Sequence, residues 1–252
     1  NAKSSAKKNS TGEFAENMRI RHSMYQEFYK KELSFFPKAN EWKDLKEQCS
    51  NCLAVVVGSD QLWGPANIAG KYFTLEFVPD GIKKIAYSTS FGVSVLPKQL
   101  YKHARRYLSR LDHISVRETS GKKIIKDVTG LNVPVVCDPT MLLTPEEWML
   151  IQEEKPFTDG KYILMYLMGD NPEQRDFVKR LKKKTGCKIV GLLHGSVFIE
   201  SDEGYCDESP YNVGPGEFLN LIRNAAYVCT DSFHCCVFSI IYEKNFFAFR
   251  RE

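Results

Sequence analysis

The stretch from Ala225 to Cys236 constrains the fold of this chain more than any other. Ala225, Ala226, Tyr227, Val228 and Cys229 make a short apolar run of the kind that forms a buried strand, and an amphipathic segment continues to Tyr242. Thr230, Asp231 and Ser232 separate the two, and Asp231 and Ser232 are residue types that cap helix N-termini. The reading is strand, tight turn and helix, with His234 in the helix's first turn. Free N–H groups and the helix dipole make such a turn a site for anions, and they disfavour a charged imidazole unless an anion lies beside it. A titratable ring next to an anion hole is a candidate for acid-base chemistry. The same residues admit an architectural reading, in which Asp231 or Ser232 caps the helix and His234 packs against the sheet.

The unit is one of a series. Leu53 to Val57 reads as a buried strand that ends in Gly58, Ser59, Asp60, Gln61, Leu62 and Trp63. Glycine permits close backbone approach, and Ser59, Asp60 and Gln61 place hydrogen-bonding groups at the strand's carboxyl end, where ligands bind in open α/β sheets. Taken alone, the same residues serve equally as turn chemistry. Lys84 to Thr89 and Ile114 to Val116 are further strands, separated by a charged helix from Pro97 to Leu111. Arg117 follows the third strand, and its planar fork suits a carboxylate or phosphate, or a local acid such as Glu118. A helix from Lys122 to Val128 and a fourth strand from Val133 to Cys137 come next. Thr144, Pro145 and Glu147 stand in the order that opens a helix.

Beyond a polar stretch containing Pro156, the alternation resumes. It runs through a strand from Tyr162 to Met168, a helix from Pro172 to Thr185, a strand from Lys188 to Leu193 and a polar loop from Glu200 to Asn212. Gly214, Pro215 and Gly216 lead into a helix from Glu217 to Asn224, and a last strand spans Asn245 to Phe249. The pattern predicts an α/β fold with parallel sheets and helices on their faces. It divides into 1–12, disordered or a linker, an N-terminal Rossmann-like domain over 13–154, and a C-terminal one over 161–252, with a cleft between them. Glu13 to Lys31 has helical spacing and no strand precedes it, so the N-terminal domain is expected to be incomplete, its opening βα unit lying upstream or lost. His194, at a strand end, is a lesser candidate than His234, and His22, His103 and His113 are expected at the surface. Arg250 and Arg251 lie within reach of an anion at the last strand's end.

Composition narrows the partners. A net charge of +4 over 252 residues is too small and scattered for nucleic acid, but it favours an anionic substrate. No run approaches the ~20 apolar residues of a membrane span and no signal peptide is recognisable, so the expected location is cytoplasmic. Of the 8 cysteines, Cys49 and Cys52 form one C-x-x-C without a second to complete a zinc set, and reduced thiols and no metal are expected.

With these pieces placed, Val57 to Trp63, Ile85 to Gly92, Ser115 to Ser120, Cys137 to Thr140 and Thr230 to His234 resemble, in order and spacing, the motifs of the polysaccharide pyruvyl transferase family. The likeness extends over about residues 14–250 and leaves out the family's opening strand and glycine-containing loop. It implies two Rossmann-like domains facing a cleft, similar to GT-B glycosyltransferases. It also implies transfer of a pyruvyl group from phosphoenolpyruvate to a sugar hydroxyl of a cell-surface polysaccharide or its precursor, without a cofactor. The implied partners are phosphoenolpyruvate and a sugar or glycan-lipid acceptor, with peripheral contact to a membrane compatible with the latter and the oligomeric state open.

The donor's carboxylate and phosphate call for cationic forks and helix N-termini, and protonation of its C3 as a hydroxyl attacks C2 calls for an acid and a base. By the resemblance, His234 and Arg117 are the catalytic residues. Gly58, Ser59, Asp60, Gln61, Asp231, Ser232 and Gly216, at strand ends and helix heads, are the substrate-binding candidates. Family members carry an arginine two residues before the histidine, where this chain has Ser232, a hydroxyl without charge. Two other readings compete: a GT-B-type glycosyltransferase holding a nucleotide-sugar diphosphate at Gly216 and Ser232, and a non-catalytic relative in glycan assembly.

Overall fold

The computed structural model describes residues 12–152, 155–194, 199, 202 and 204–251. The segment 1–11, expected to be disordered or a linker, lies outside them, as do Gly195 and Ser196 beside His194. The elements follow in chain order as α1 (Glu13–Glu32), α2 (Trp42–Cys49), β1 (Ala54–Gly58), α3 (Pro65–Gly70), β2 (Lys83–Thr89), α4 (Tyr101–Leu108), β3 (His113–Val116), α5 (Thr119–Thr129) and α6 (Pro145–Met149). They continue as β4 (Tyr162–Tyr166), α7 (Pro172–Thr185), β5 (Lys188–Gly191), α8 (Pro215–Asn224), β6 (Tyr227–Thr230), α9 (Phe233–Ile241) and β7 (Phe246–Ala248). Among the described residues no helix is long and apolar enough to cross a membrane.

Contacts divide the chain into two units, Phe35–Leu142 and a second that joins the N-terminal segment through Ser34 to Leu143–Glu252. The expected spans, 13–154 and 161–252, are drawn differently here. Helix α1 belongs with the second unit because Arg21 donates to the carbonyl oxygens of Leu193 and Pro210, at 2.8 and 3.3 Å. Helix α6 belongs there because Trp148 packs edge-on against Phe238, ring centroids 5.1 Å apart. Contacts this distant in sequence leave no local trace in it.

In the unit Phe35–Leu142, β1, β2 and β3 form a parallel sheet in that order. Strand β1 is a run of β-branched valines, whose stiff side chains suit a pleated surface. Its continuation carries the core. Trp63 is fully buried with ring centroids 5.4 Å from Phe91 and 5.5 Å from Tyr107, and its indole N–H donates to the Phe73 carbonyl at 3.0 Å. The expected fourth strand, Val133 to Cys137, is reduced to a single bridge between Val116 and Val135. Pro134 has no N–H to give a ladder, and it contributes only its carbonyl, to the Val116 N–H.

In the second unit the sheet order is β5-β4-β6-β7, again parallel throughout. Tyr162 and Leu164 of β4 pack on one side with Leu219, Ile222 and Phe238, while Ile163 and Met165 pack on the other with Val178 and Ile189. Alternate residues of a strand point to opposite faces, so α8 and α9 cover one face and α7 the other. Helix α7 has the bounds its sequence predicts. Asn171 accepts from the Glu173 N–H at 2.9 Å, Pro172 opens the first turn, and Gly186 closes the helix at φ 71°. Helix α6 likewise opens on a reciprocal pair of bonds between Thr144 and Glu147. Parallel sheets with helices packed on them agree with Rossmann-like units.

Candidate active site

The strand, turn and helix read from Ala225 to Cys236 are β6, Thr230 to Ser232, and α9. Ser232 is the residue before α9, but its hydroxyl makes no cap bond to the helix. Its N–H donates to the Thr230 hydroxyl oxygen at 3.0 Å, and that hydroxyl donates to the Tyr166 carbonyl at 2.7 Å. His234 lies half-buried in the first turn, its ring edge-on to Phe233 with centroids 5.1 Å apart. Cys235 and Cys236 follow it. Burial pushes both thiols up, that of Cys235 to about 12, which removes them as thiolate nucleophiles near neutral pH.

Asp231, a cap and substrate-binding candidate in the sequence reading, clamps a neighbouring loop. Its buried carboxylate accepts the backbone N–H groups of Met168 at 2.7 Å and Gly169 at 2.9 Å, which tie the loop after β4 to the turn after β6. The same loop is held from two other sides. His194 donates Nε2–H to the Met168 carbonyl at 2.5 Å, and Arg175 of α7 donates to the Gly169 carbonyl at 3.1 Å. His194 is thus a brace in this structure. Beyond β7, the Phe249 N–H donates to the Thr230 carbonyl at 2.8 Å, and Arg251 reaches the Asp231 carbonyl at 3.4 Å. A guanidinium therefore rests on the turn that carries Ser232.

A Cβ at Gly216 would meet the Ile151 carbonyl oxygen at 2.7 Å, so close chain packing requires glycine here. The head of α8 is filled by its own carboxylate, since the Gly214 N–H donates to Glu217 at 2.9 Å.

In the other unit, the carboxyl ends of β1, β2 and β3 bring Gly58, Ser59, Asp60, Gln61 and Arg117 together. A Cβ on Gly58 would collide with the Tyr87 carbonyl oxygen. Ser59 and Asp60 then adopt left-handed backbone, φ 59° and 44°, at a cost of about 1–3 kcal/mol each. The Ser59 N–H donates to the Tyr87 carbonyl and the Ser90 N–H to the Asp60 carbonyl, both at 2.9 Å, and these bonds hold the strained turn. The Gln61 side chain lies where a Cβ on Gly92 would be, with φ 65° at that glycine.

Arg117 closes the cluster. Its guanidinium donates to Asp138 at 3.0 Å and to Asp60 at 3.4 Å, and it stands 3.9 Å from Glu118. Burial pushes the Asp138 carboxyl up, but hydrogen bonds from Ser59, Thr140 and Arg117 outweigh it and hold the group below the usual carboxylate range. The arginine is therefore a neutralised hub. Asp60 is its most exposed partner, with a side chain 66% exposed against 27% for Glu118 and 1% for Asp138, so an incoming anion would exchange with Asp60. Among the described residues no group of three or more His, Cys, Asp or Glu is placed to hold a metal ion.

A family model for polysaccharide pyruvyl transferase matches residues 7–252, nearly the whole chain. The chain belongs to the polysaccharide pyruvyl transferase family. It is a transferase. Among curated proteins, no match was found. For this polysaccharide pyruvyl transferase, the residues that sequence reasoning passed over are those whose position depends on distant chain. Arg251, expected within reach of an anion at the last strand's end, is set by β7 against the Asp231 carbonyl, a contact no local signal gives. Asp138 stood in a quoted motif without a role, and it proves to be the acid that orients Arg117. His22 is exposed, as expected, and also lines a cavity at the ends of β4 and β5. Nothing local in the sequence distinguishes these residues from ordinary surface charges.

Proposed function

We propose that this polysaccharide pyruvyl transferase moves the pyruvyl group of phosphoenolpyruvate onto hydroxyls of a sugar in a cell-surface polysaccharide or its precursor. The observation that carries the reading past the family is His234 at the head of α9, beside a Ser232 hydroxyl left out of helix capping and an Arg251 guanidinium on the same turn. Backbone N–H groups, a hydroxyl and a cation suit a phosphate, and a half-buried imidazole beside it suits proton transfer.

In this reading a sugar hydroxyl attacks C2 of the enol ester while C3 takes up a proton and becomes a methyl group. A second hydroxyl then displaces phosphate from C2, which closes the ketal. One hydroxyl proton balances the new methyl C–H and the other leaves with the phosphate, so the reaction is redox-neutral and calls for no cofactor. His234 carries a proton between hydroxyl and C3. Arg251 stands in for the charge that the family's arginine supplies and Ser232 lacks. Arg117, in the other unit, is kept as a separate anion-binding candidate, opened by exchange with Asp60.

The test is to incubate the chain with phosphoenolpyruvate and a panel of hexoses and glycan fragments, following phosphate release and the mass of the acceptor. His234→Ala is expected to lower turnover about 10²–10⁴-fold, the range of general acid-base catalysis, with the melting temperature unchanged. Wild-type turnover in that variant would remove His234 from the mechanism. Modification driven by a nucleotide-sugar, with phosphoenolpyruvate inert, would overturn the donor.

A further inference from the structure

Helix α1 covers the carboxyl ends of β4 and β5 and leaves beneath it a cavity of about 550 Å³, a volume suited to a small organic ligand. This is the end of a parallel sheet at which α/β folds bind their ligands. One wall of the cavity is cationic. Arg21 gives two of its nitrogens to the carbonyls of Leu193 and Pro210 and lies 5.4 Å from the ring centre of Tyr211, but it has no carboxylate partner among the described residues. Its Nε is buried without a hydrogen-bond partner. A part-buried guanidinium bonded, among the described residues, to carbonyls and not to a carboxylate is suited to an anion. His22 and Gln26 add polar groups on the same helix.

The remaining wall is aromatic. Tyr25 and Tyr29 on α1 present rings 6.1 Å apart at 72°, each more than a third exposed, and Tyr166 and Phe218 face the cavity from the sheet side. The C–H face of a pyranose packs on such rings while its hydroxyls reach polar groups at the lip. Tyr166 also ties the cavity to the turn before α9, because β4 is paired with β6 at Tyr166 and Thr230 and the Thr230 hydroxyl donates to the Tyr166 carbonyl. The cavity and the His234 turn thus lie at the ends of adjacent strands.

We propose that this cavity binds the acceptor as an anionic sugar, its ring against Tyr25 and Tyr29 and its phosphate or carboxylate on Arg21. The word acceptor rests on the pyruvyl-transfer reading, whereas the anionic-sugar site rests on Arg21 and the aromatic wall. Burial keeps the Tyr166 hydroxyl protonated, pushed up to about 12, so it remains a donor.

Isothermal titration of the chain, without phosphoenolpyruvate, separates the two claims. Glucose 1-phosphate, glucuronate, glucose and inorganic phosphate are the probes. One of the two charged sugars is expected to bind at least about tenfold more tightly than glucose or inorganic phosphate, and to lose about tenfold or more in Arg21→Gln, the scale of a charge-assisted hydrogen bond. Which of the two binds identifies the anion. Because Arg21 also fastens α1, Tyr29→Ala is the second variant, expected to weaken the charged sugar about fivefold and to leave the melting temperature in place.

Absence of binding, equal affinity for inorganic phosphate, or affinity unchanged in Arg21→Gln or in Tyr29→Ala would overturn the site. Retained binding in His234→Ala supports it whatever becomes of turnover. Binding without turnover on any acceptor would count against the transfer reading alone.

Discussion

Met168 donates its backbone N–H to the buried carboxylate of Asp231 at 2.7 Å, across 63 residues of chain, and Gly169 donates to the other carboxylate oxygen at 2.9 Å. One side chain thereby fixes the turn before His234 relative to the end of the neighbouring strand. In Asp231→Asn one oxygen becomes an NH₂ group that faces an N–H, so a buried donor is left unpaired and a charge-assisted bond is lost. The expected loss of stability is about 1.5–3 kcal/mol, read as a lower urea midpoint at unchanged slope. A midpoint equal to wild type would show that the clamp contributes nothing.

Much of the fold was legible in the sequence because each signal is local. Asn171, Pro172 and Gly186 bracket α7 within one short segment, and Thr144 and Glu147 announce α6 in the same way. The turn at Thr230 to Ser232 was legible for the same reason. The task of Asp231 was not, since a cap is read from the next three residues and the actual donors lie 62 and 63 residues away. Arg117 shows the middle case. Its place at a strand end follows from periodicity, but Asp138, 21 residues on, reaches it only through the parallel return of the chain past Val116.

Asp138 also sets a pH dependence. Its folded-state carboxyl lies below the ordinary value because hydrogen bonds from Ser59, Thr140 and Arg117 outweigh the penalty of burial. A depressed carboxylate contributes stability that is fully present above the unfolded value, about 3.9, and is lost as pH falls through the folded value. The wild-type melting temperature is therefore expected to fall as the medium is acidified below about pH 4, and to fall less steeply in Asp138→Asn over that range. At neutral pH the variant is expected to be the less stable, because Arg117 has lost its nearest acid. Parallel acid profiles for the two proteins would contradict the assignment.

The last prediction concerns the charge beside Ser232. Ser232 itself carries none, and Arg251 rests against the Asp231 carbonyl one residue away, carried there by β7. If Arg251 holds the donor's phosphate, Arg251→Gln removes a charge-assisted bond of about 1.5–3 kcal/mol, which at 1.4 kcal/mol per tenfold raises KM for phosphoenolpyruvate roughly 10- to 100-fold. The melting temperature should move little, since Arg251 is exposed and its bond to the Asp231 carbonyl is long. Ser232→Arg in the Arg251→Gln background returns a guanidinium to the same turn from the helix side and is expected to recover most of the lost KM. A control with Ser232→Gln, similar in reach but uncharged, should recover none. If both replacements recover alike, the effect is one of shape and not of charge. If neither does, Arg251 serves the turn's structure and the donor's phosphate is held elsewhere.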